Sequence, residues 1–316
     1  MIRFLASRAV QAVLVLAVMS FIILALIGLM PGDPIDVMIS ANPRLNAADA
    51  ERLRALHGLN LPLWQRYLNW LAALAGGDLG YSRLFGLPVT EVLGPRLLNT
   101  LELMGSAFIL TFALALPIGV AAAQRPDSRL DAGLNLLCFA GISAPPFWVA
   151  LLLIMLFSVT LGWLPAGGAG PPGHGGFLAT LPYLVLPVAT LVLAGLGGQV
   201  RYIRAAVREA LAADHIRTAR AKGLSERQVV WRHALPNALI PVVTILALDF
   251  GGLFSGALIT ETMFAWPGMG KLIYEAVMGN DYNLALVSLL LATATTLLGS
   301  FLADLAYAAL DPRIGL

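Results

Sequence analysis

The sequence predicts an all-α integral membrane protein with six membrane-spanning helices and a small helical insert between the first two. Three observations carry that prediction. Of 316 residues, 59% are hydrophobic and only 12% are charged, against about 25% charged in an ordinary soluble domain. Mean hydropathy is +0.81. The apolar residues also gather into six stretches, each close to the roughly 20 residues that cross a bilayer core. This balance excludes a water-soluble enzyme and a disordered chain. A formal net charge of +2 gives no basis for nucleic-acid binding by total charge. The single Cys138 excludes a disulfide framework or a thiolate metal cluster within the chain.

The stretches cover 9–30, 101–123, 134–161, 181–198, 238–260 and 284–305. Arg3 and Arg8 precede the first, as in a secretory signal. Its length and the absence of a small-residue cleavage pattern read instead as a retained anchor. Lys and Arg in short loops set orientation. Eight of them, Arg201, Arg204, Arg208, Arg217, Arg220, Lys222, Arg227 and Arg232, lie between the fourth and fifth stretches, and none lies in 162–180. Both termini and the basic loop are therefore expected in the cytoplasm.

Between the first two stretches, Asn46 can cap a short helix that Gly58 ends, and Pro62 can begin a second that stops at Gly76 and Gly77. In that second helix Leu63, Trp64, Tyr67, Leu68, Trp70, Leu71 and Leu74 recur at helical spacing. The face suits either the headgroup level or the outer ends of the spans. Residues 161–176, rich in Gly and Pro, can be neither helix nor strand. His174 within them has no second ligand nearby and reads as solvated.

The basic loop carries the most information. Asp214 can cap a helix from His215 to Lys222, and Gly223 stands where a left-handed stop is needed. Ser225 and Gln228 form a capping box for a second helix, which is expected to end before Pro236. A helix of eight residues is marginal alone in water. The loop reads as a basic knob docking into a cytoplasmic partner, or as charge resting on anionic lipid.

Asp249 is the acid deep within an apolar stretch, where an ionisable side chain normally faces protein or a water-filled cavity. Gly252 and Gly256, three and seven residues on, are expected on its helical face. The three read equally as lining of a pathway and as a packing stripe. Glu102 and Asp304 lie near stretch ends and read as interfacial.

The run Arg217, Thr218, Ala219, Arg220, Ala221, Lys222, Gly223, Leu224, followed by Leu235 and Pro236, resembles the coupling loop of binding-protein-dependent ABC importer permeases. Further motifs resemble the branch that carries dipeptides, oligopeptides, glutathione and nickel. They are Met30 to Pro34, Gly77 to Ser82, Thr260 to Gly270, Asp281 with Tyr282, and Asp311 to Ile314. His215 and Asn283 depart from the branch, which often has Tyr and Pro there.

The resemblance implies a type I importer architecture in a bacterial inner membrane. It divides the chain into an anchor and extracytoplasmic insert (1–96), a permease domain (97–305) with coupling loop 201–236, and a cytoplasmic tail (306–316). It implies a second homologous permease, ATP-binding cassette ATPase subunits, an extracytoplasmic substrate-binding protein and membrane lipid as partners. ATP and magnesium would sit on the ATPase, with no cofactor in this chain. Small peptides are the leading substrate, with nickel or another metal chelate, or glutathione, as the alternative within the family. An ATP-independent secondary carrier is the alternative outside it, but no internal repeat is visible. Residues 268–272 only approach a P-loop, with Ala265 in place of its first Gly and Leu272 in place of its Ser or Thr. No metal-hydrolase or nucleophile-elbow pattern occurs, so the energy is expected from a partner.

Overall fold

A computed structural model of the chain describes residues 2–29, 35, 47–56, 60–170, 177–253 and 256–310. Among the described residues the regular structure is helical, with one isolated antiparallel bridge between Tyr81 and Pro88. Met30 to Pro34, Asn46, Gly58, His174 and Asp311 to Ile314 lie outside the described residues.

Helix α1 (Ile2–Gly28) is the first span. Helices α2 (Ala47–Leu56) and α3 (Leu63–Ala75) form the insert, and α3 starts after Pro62 and ends at Gly76 as expected. One face of α3 lies on α1. The Tyr67 hydroxyl donates to the Ala17 carbonyl at 3.1 Å and lies 2.8 Å from Ser20 Oγ, and its ring meets Phe21 edge-on. Trp64 and Leu68 on the other side remain exposed. The aromatic face is thus divided between the span and the surroundings.

Helix α4 (Val89–Gln124) and helix α7 (Phe177–Ala212) each run 36 residues, about 54 Å at 1.5 Å per residue. They pack along one another through Ala115, Val120, Ile203 and Val207. Gly119 makes the approach possible, since a Cβ there would stand 2.8 Å from Ile203 Cγ2. At this length α7 outruns the roughly 30 Å hydrocarbon core. The first three cations assigned to the basic loop, Arg201, Arg204 and Arg208, are therefore carried on a helical extension of the fourth span.

The third apolar stretch is broken. Helix α5 (Arg129–Ser143) and helix α6 (Pro146–Leu153), which widens into a π-helical turn at Ile154–Thr160, meet at 97°. Pro145 and Pro146 cause the bend. A residue before proline is driven out of the helical region, and Ala144 stands at φ −80°, ψ 123°. Five described helices are long and apolar enough to span a membrane, and the bent pair makes a sixth. The Asp131 carboxylate ties α5 to α7 through a bidentate pair with Arg204 at 2.6 and 2.5 Å.

Helix α8 (Asp214–Ala221) precedes the fifth span, which differs from expectation at both ends. Helix α9 (Glu226–Gln228) runs through π-helical Val229–Ala234 into α10 (Leu235–Gly252) without interruption. Pro236 therefore does not end the loop's second helix. The wider π turn just before it rearranges the hydrogen-bond ladder where the missing N–H would break an α-helix. At the far end α10 stops at Gly252, well short of 260. Residues 258–263 fold back as α11 (Leu258–Met263), followed by α12 (Met269–Met278) and the last span, α13 (Tyr282–Leu310). Helix α13 packs along α10 and α1.

Candidate functional site: a short basic-loop helix and a buried carboxylate knot

The short helix α8 is built as a cap on the end of α7. Ile216 and Ala219 are buried against Val229 and Ala234, with Ala210, Leu211 and Leu224 around them. This cluster supplies the partner surface that an eight-residue helix needs. Asp214 is not its cap. Ala213 takes the extended N-cap geometry with no side-chain bond, and Asp214 is the first helical residue. Its carboxylate instead stands in the first turn, where the helix dipole favours an anion, 3.3 Å from Arg217.

The other end is closed by a double turn. Leu224 N donates to the Ala219 carbonyl at 3.4 Å and Gly223 N to the Arg220 carbonyl at 2.9 Å. Gly223 stands at φ +79°. That pair of bonds across a left-handed residue is the Schellman arrangement, with Leu224 closing the apolar contact. Ser225 and Gln228 then complete both bonds of the capping box.

Asp214, Arg217, Thr218, Ala221 and Lys222 form the exposed side of α8. Arg220 is also on the surface, but its guanidinium is occupied by Glu226 in a bidentate pair at 2.8 and 3.1 Å. Arg217, beside the equally exposed Asp214 carboxylate, and Lys222 extend outward from this end of the loop. Leu235 is buried beneath it and Pro236 is exposed.

Asp249 is exposed within this single chain and accepts a hydrogen bond from Gln199 Nε2 on α7. It lies twelve residues along the helix from Asn237, whose side chain reaches His215 of α8 at 3.4 Å. That places it about 18 Å from α8 along the helix axis. Gly252, also exposed, is the last residue of α10. Gly256 does not share their helical face, because the helix has ended. At φ +78° it lies against α12, where a Cβ would stand 2.6 Å from Gly270 N.

Gly256 belongs to a knot on the opposite side of the molecule from α8. Its centre is Glu261, which is fully buried. Thr100 Oγ1 donates to Glu261 Oε1 at 2.9 Å, Lys271 N donates to Oε2 at 2.8 Å, and Ala257 N to Oε1 at 3.4 Å. The Thr100 hydroxyl in turn accepts from Met269 N at 2.7 Å. Asn99 Nδ2 donates to the Pro267 carbonyl and Trp266 Nε1 to the Asn99 carbonyl, both at 2.9 Å. Gly268 is obligatory, since a Cβ there would overlap the Glu261 carboxylate. Phe264 and Trp266 fill the space beneath.

A second carboxylate organises the adjoining loop. Asp281 Oδ2 accepts from Ser82 Oγ at 2.6 Å and from Leu84 N at 3.0 Å, while Oδ1 accepts from Leu284 N at 3.3 Å at the start of α13. Arg83 Nη2 donates to the Gly279 carbonyl. The motifs at 77–82 and 281–282, separate in the sequence, are one structure. Reading residue by residue missed Glu261, Thr100 and Asp281 as a framework. The signal available was glycine at 256, 268 and 270 flanking an acid.

Residues 115–316 match the family described as binding-protein-dependent transport system inner membrane component, and residues 1–84 match its N-terminal membrane component. The chain belongs to that family. It is 37% identical to the oligopeptide transport system permease protein AppB of Bacillus subtilis (strain 168), over 97% of this chain and 96% of the relative. It is 37% identical to the di/tripeptide transport system permease protein DppB of Pseudomonas aeruginosa (strain UCBPP-PA14), and 35% identical to the dipeptide transport system permease protein DppB of Escherichia coli (strain K12), each over 99% of both chains. A chain of the MetNI methionine ABC transporter, from a structure of its inward-facing conformations, superposes with TM-score 0.58 at 20% identity. It covers 70% of this chain and 97% of its own. That likeness establishes the type I importer fold of this binding-protein-dependent membrane component.

Proposed function

We propose that this chain is the permease subunit of an ATP-driven importer of small peptides, forming half of the translocation pathway. The observation that carries the reading is similarity to peptide permeases from end to end, coupling helix included. The chain does not hydrolyse ATP. A separate ATPase, holding ATP and magnesium, engages α8 through Arg217 and Lys222, and Gly223 sets the angle at which α8 meets it. A second permease completes the cavity, and an extracytoplasmic binding protein delivers the peptide. Both termini and α8 face the cytoplasm of the inner membrane, in agreement with the excess of Lys and Arg on that side.

Asp249 lines the pathway in this reading, with Gly252 beside it. An ionisable side chain exposed on a single subunit at that depth is costly against lipid and is accommodated by a water-filled or partner-lined space. Gly256 is removed from the pathway set, since its surroundings are the Glu261 knot.

The test is copurification in mild detergent followed by mass spectrometry, for the wild type and Gly223→Val. The expected result is an ATPase and a second permease with the wild type, lost or weakened with the variant, and ATP-dependent peptide uptake by the assembly. A lone or homo-oligomeric chain that transports in proteoliposomes without ATP would overturn the reading.

A further inference from the structure

On the side of the molecule that carries α8, the ends of α1 and α13 leave a trough of about 500 Å³ between them. Its composition changes along its length. One end is polar, with Arg8 and Gln11 on α1 facing Ser300 and Asp304 on α13. Arg8 Nη2 and Asp304 Oδ2 meet at 2.7 Å, yet 41% and 34% of the two side chains stay exposed. The remainder is hydrocarbon, where Ala12 and Leu16 oppose Ala294, Leu297 and Phe301. Small side chains at Ala12 and Ala294 leave the volume. From Arg8 to Leu16 the trough runs about 12 Å, close to the roughly 15 Å of one leaflet's hydrocarbon.

We propose that this trough binds one phospholipid whose headgroup carries a primary ammonium. The phosphate lies against Arg8 and Gln11, the ammonium against Asp304 and Ser300, and one acyl chain follows the apolar wall. Two features select this occupant. The trough is an amphiphile's mould, polar where the membrane surface lies and apolar toward its interior. Its charges are one cation and one anion in contact, so a zwitterion is complementary to both. A headgroup with the phosphate but no ammonium, such as that of phosphatidylglycerol, would leave Asp304 without a countercharge from the lipid. A quaternary ammonium has no N–H to donate to Asp304. A helix of a neighbouring subunit would fit the apolar wall but would bring nothing to the paired charges.

The test uses the full-length chain with whatever subunits copurify with it, delipidated and then offered equal amounts of phosphatidylethanolamine, phosphatidylcholine and phosphatidylglycerol of identical acyl chains. Native mass spectrometry counts the lipid retained. The expected result is one phosphatidylethanolamine per chain, preferred about tenfold, as one charge-assisted hydrogen bond provides. Asp304→Asn should reduce that preference, and Ala12→Trp or Ala294→Trp should abolish retention. Equal retention of the three lipids by the wild type would overturn the proposal, whatever the variants do. So would retention surviving both tryptophans, or a cysteine at position 12 crosslinking to a second permease.

Discussion

Thr100 on α4 and Glu261 on α11 stand 161 positions apart and share a hydrogen bond of 2.9 Å in a fully buried setting. Through it the segment from Ala257 to Lys271 is keyed to a membrane-spanning helix. The Thr100 hydroxyl serves twice, donating to the carboxylate and accepting from Met269 N. Replacing it by Val keeps the shape and removes both bonds, leaving a backbone N–H buried without a partner. We expect a loss of about 1–3 kcal/mol, read as a fall in the thermal unfolding midpoint of the purified protein in detergent. Thr100→Ser should retain most of the stability.

The Ser82 to Asp281 bond makes a second prediction. Asp281 holds the loop from Tyr81 to Pro88 against the start of α13 by side-chain and backbone bonds together. Asp281→Ala should release that loop while leaving the spans in place. Hydrogen exchange should therefore rise at residues 82–88, with α4 and α7 unchanged. Uniform exchange in wild type and variant would show that the loop is held by its other contacts, Arg83 to Gly279 among them.

Gly223 separates backbone strain from crowding. A Cβ at this position would meet nothing within 4 Å, and the constraint is φ +79° alone. Gly223→Val should cost about 1–2 kcal/mol locally without hindering membrane insertion, and peptide uptake should fall. Gly223→Asn, which tolerates the left-handed region, should retain more uptake than Val at equal expression. Equal uptake by the two variants would remove the turn geometry from the coupling argument.

The Asp131 and Arg204 pair joins α5 to α7 with Asp131 almost wholly buried. Removing one charge strands the other, so Asp131→Ala should destabilise by about 3–5 kcal/mol. The double variant Asp131→Leu with Arg204→Met should recover much of that loss. Thermal unfolding of the three proteins, measured side by side, checks the sign of the coupling.

Asp249→Asn preserves the shape of the side chain and its acceptor oxygen for Gln199. It should leave copurification with partner subunits intact and reduce uptake if Asp249 lines the pathway. Transport unchanged at every pH would make Asp249 a packing residue.

The sequence by itself determined the membrane class, five of the six spans as helices, the limits of α3 and the left-handed stop at Gly223. These follow from hydropathy, capping and turn chemistry, which act over a few neighbouring residues. It also held the family motifs, legible as strings without their geometry. Tertiary structure decided the rest. Whether Pro145 and Pro146 bend a span by 97°, and whether a π turn carries α10 through Pro236, depends on what the chain packs against on either side. Asp214 read as a cap and Gly256 read as part of a helical stripe each changed role, because Ala213 and the end of α10 respectively decide those parts, and Arg220, one cation among eight in the sequence, is paired with Glu226. Glu261 and Asp281 were single acids in two motifs until folding brought Thr100 and Ser82 to them. A buried carboxylate is stable only with its donors in place, and those donors come from helices that no local pattern could pair.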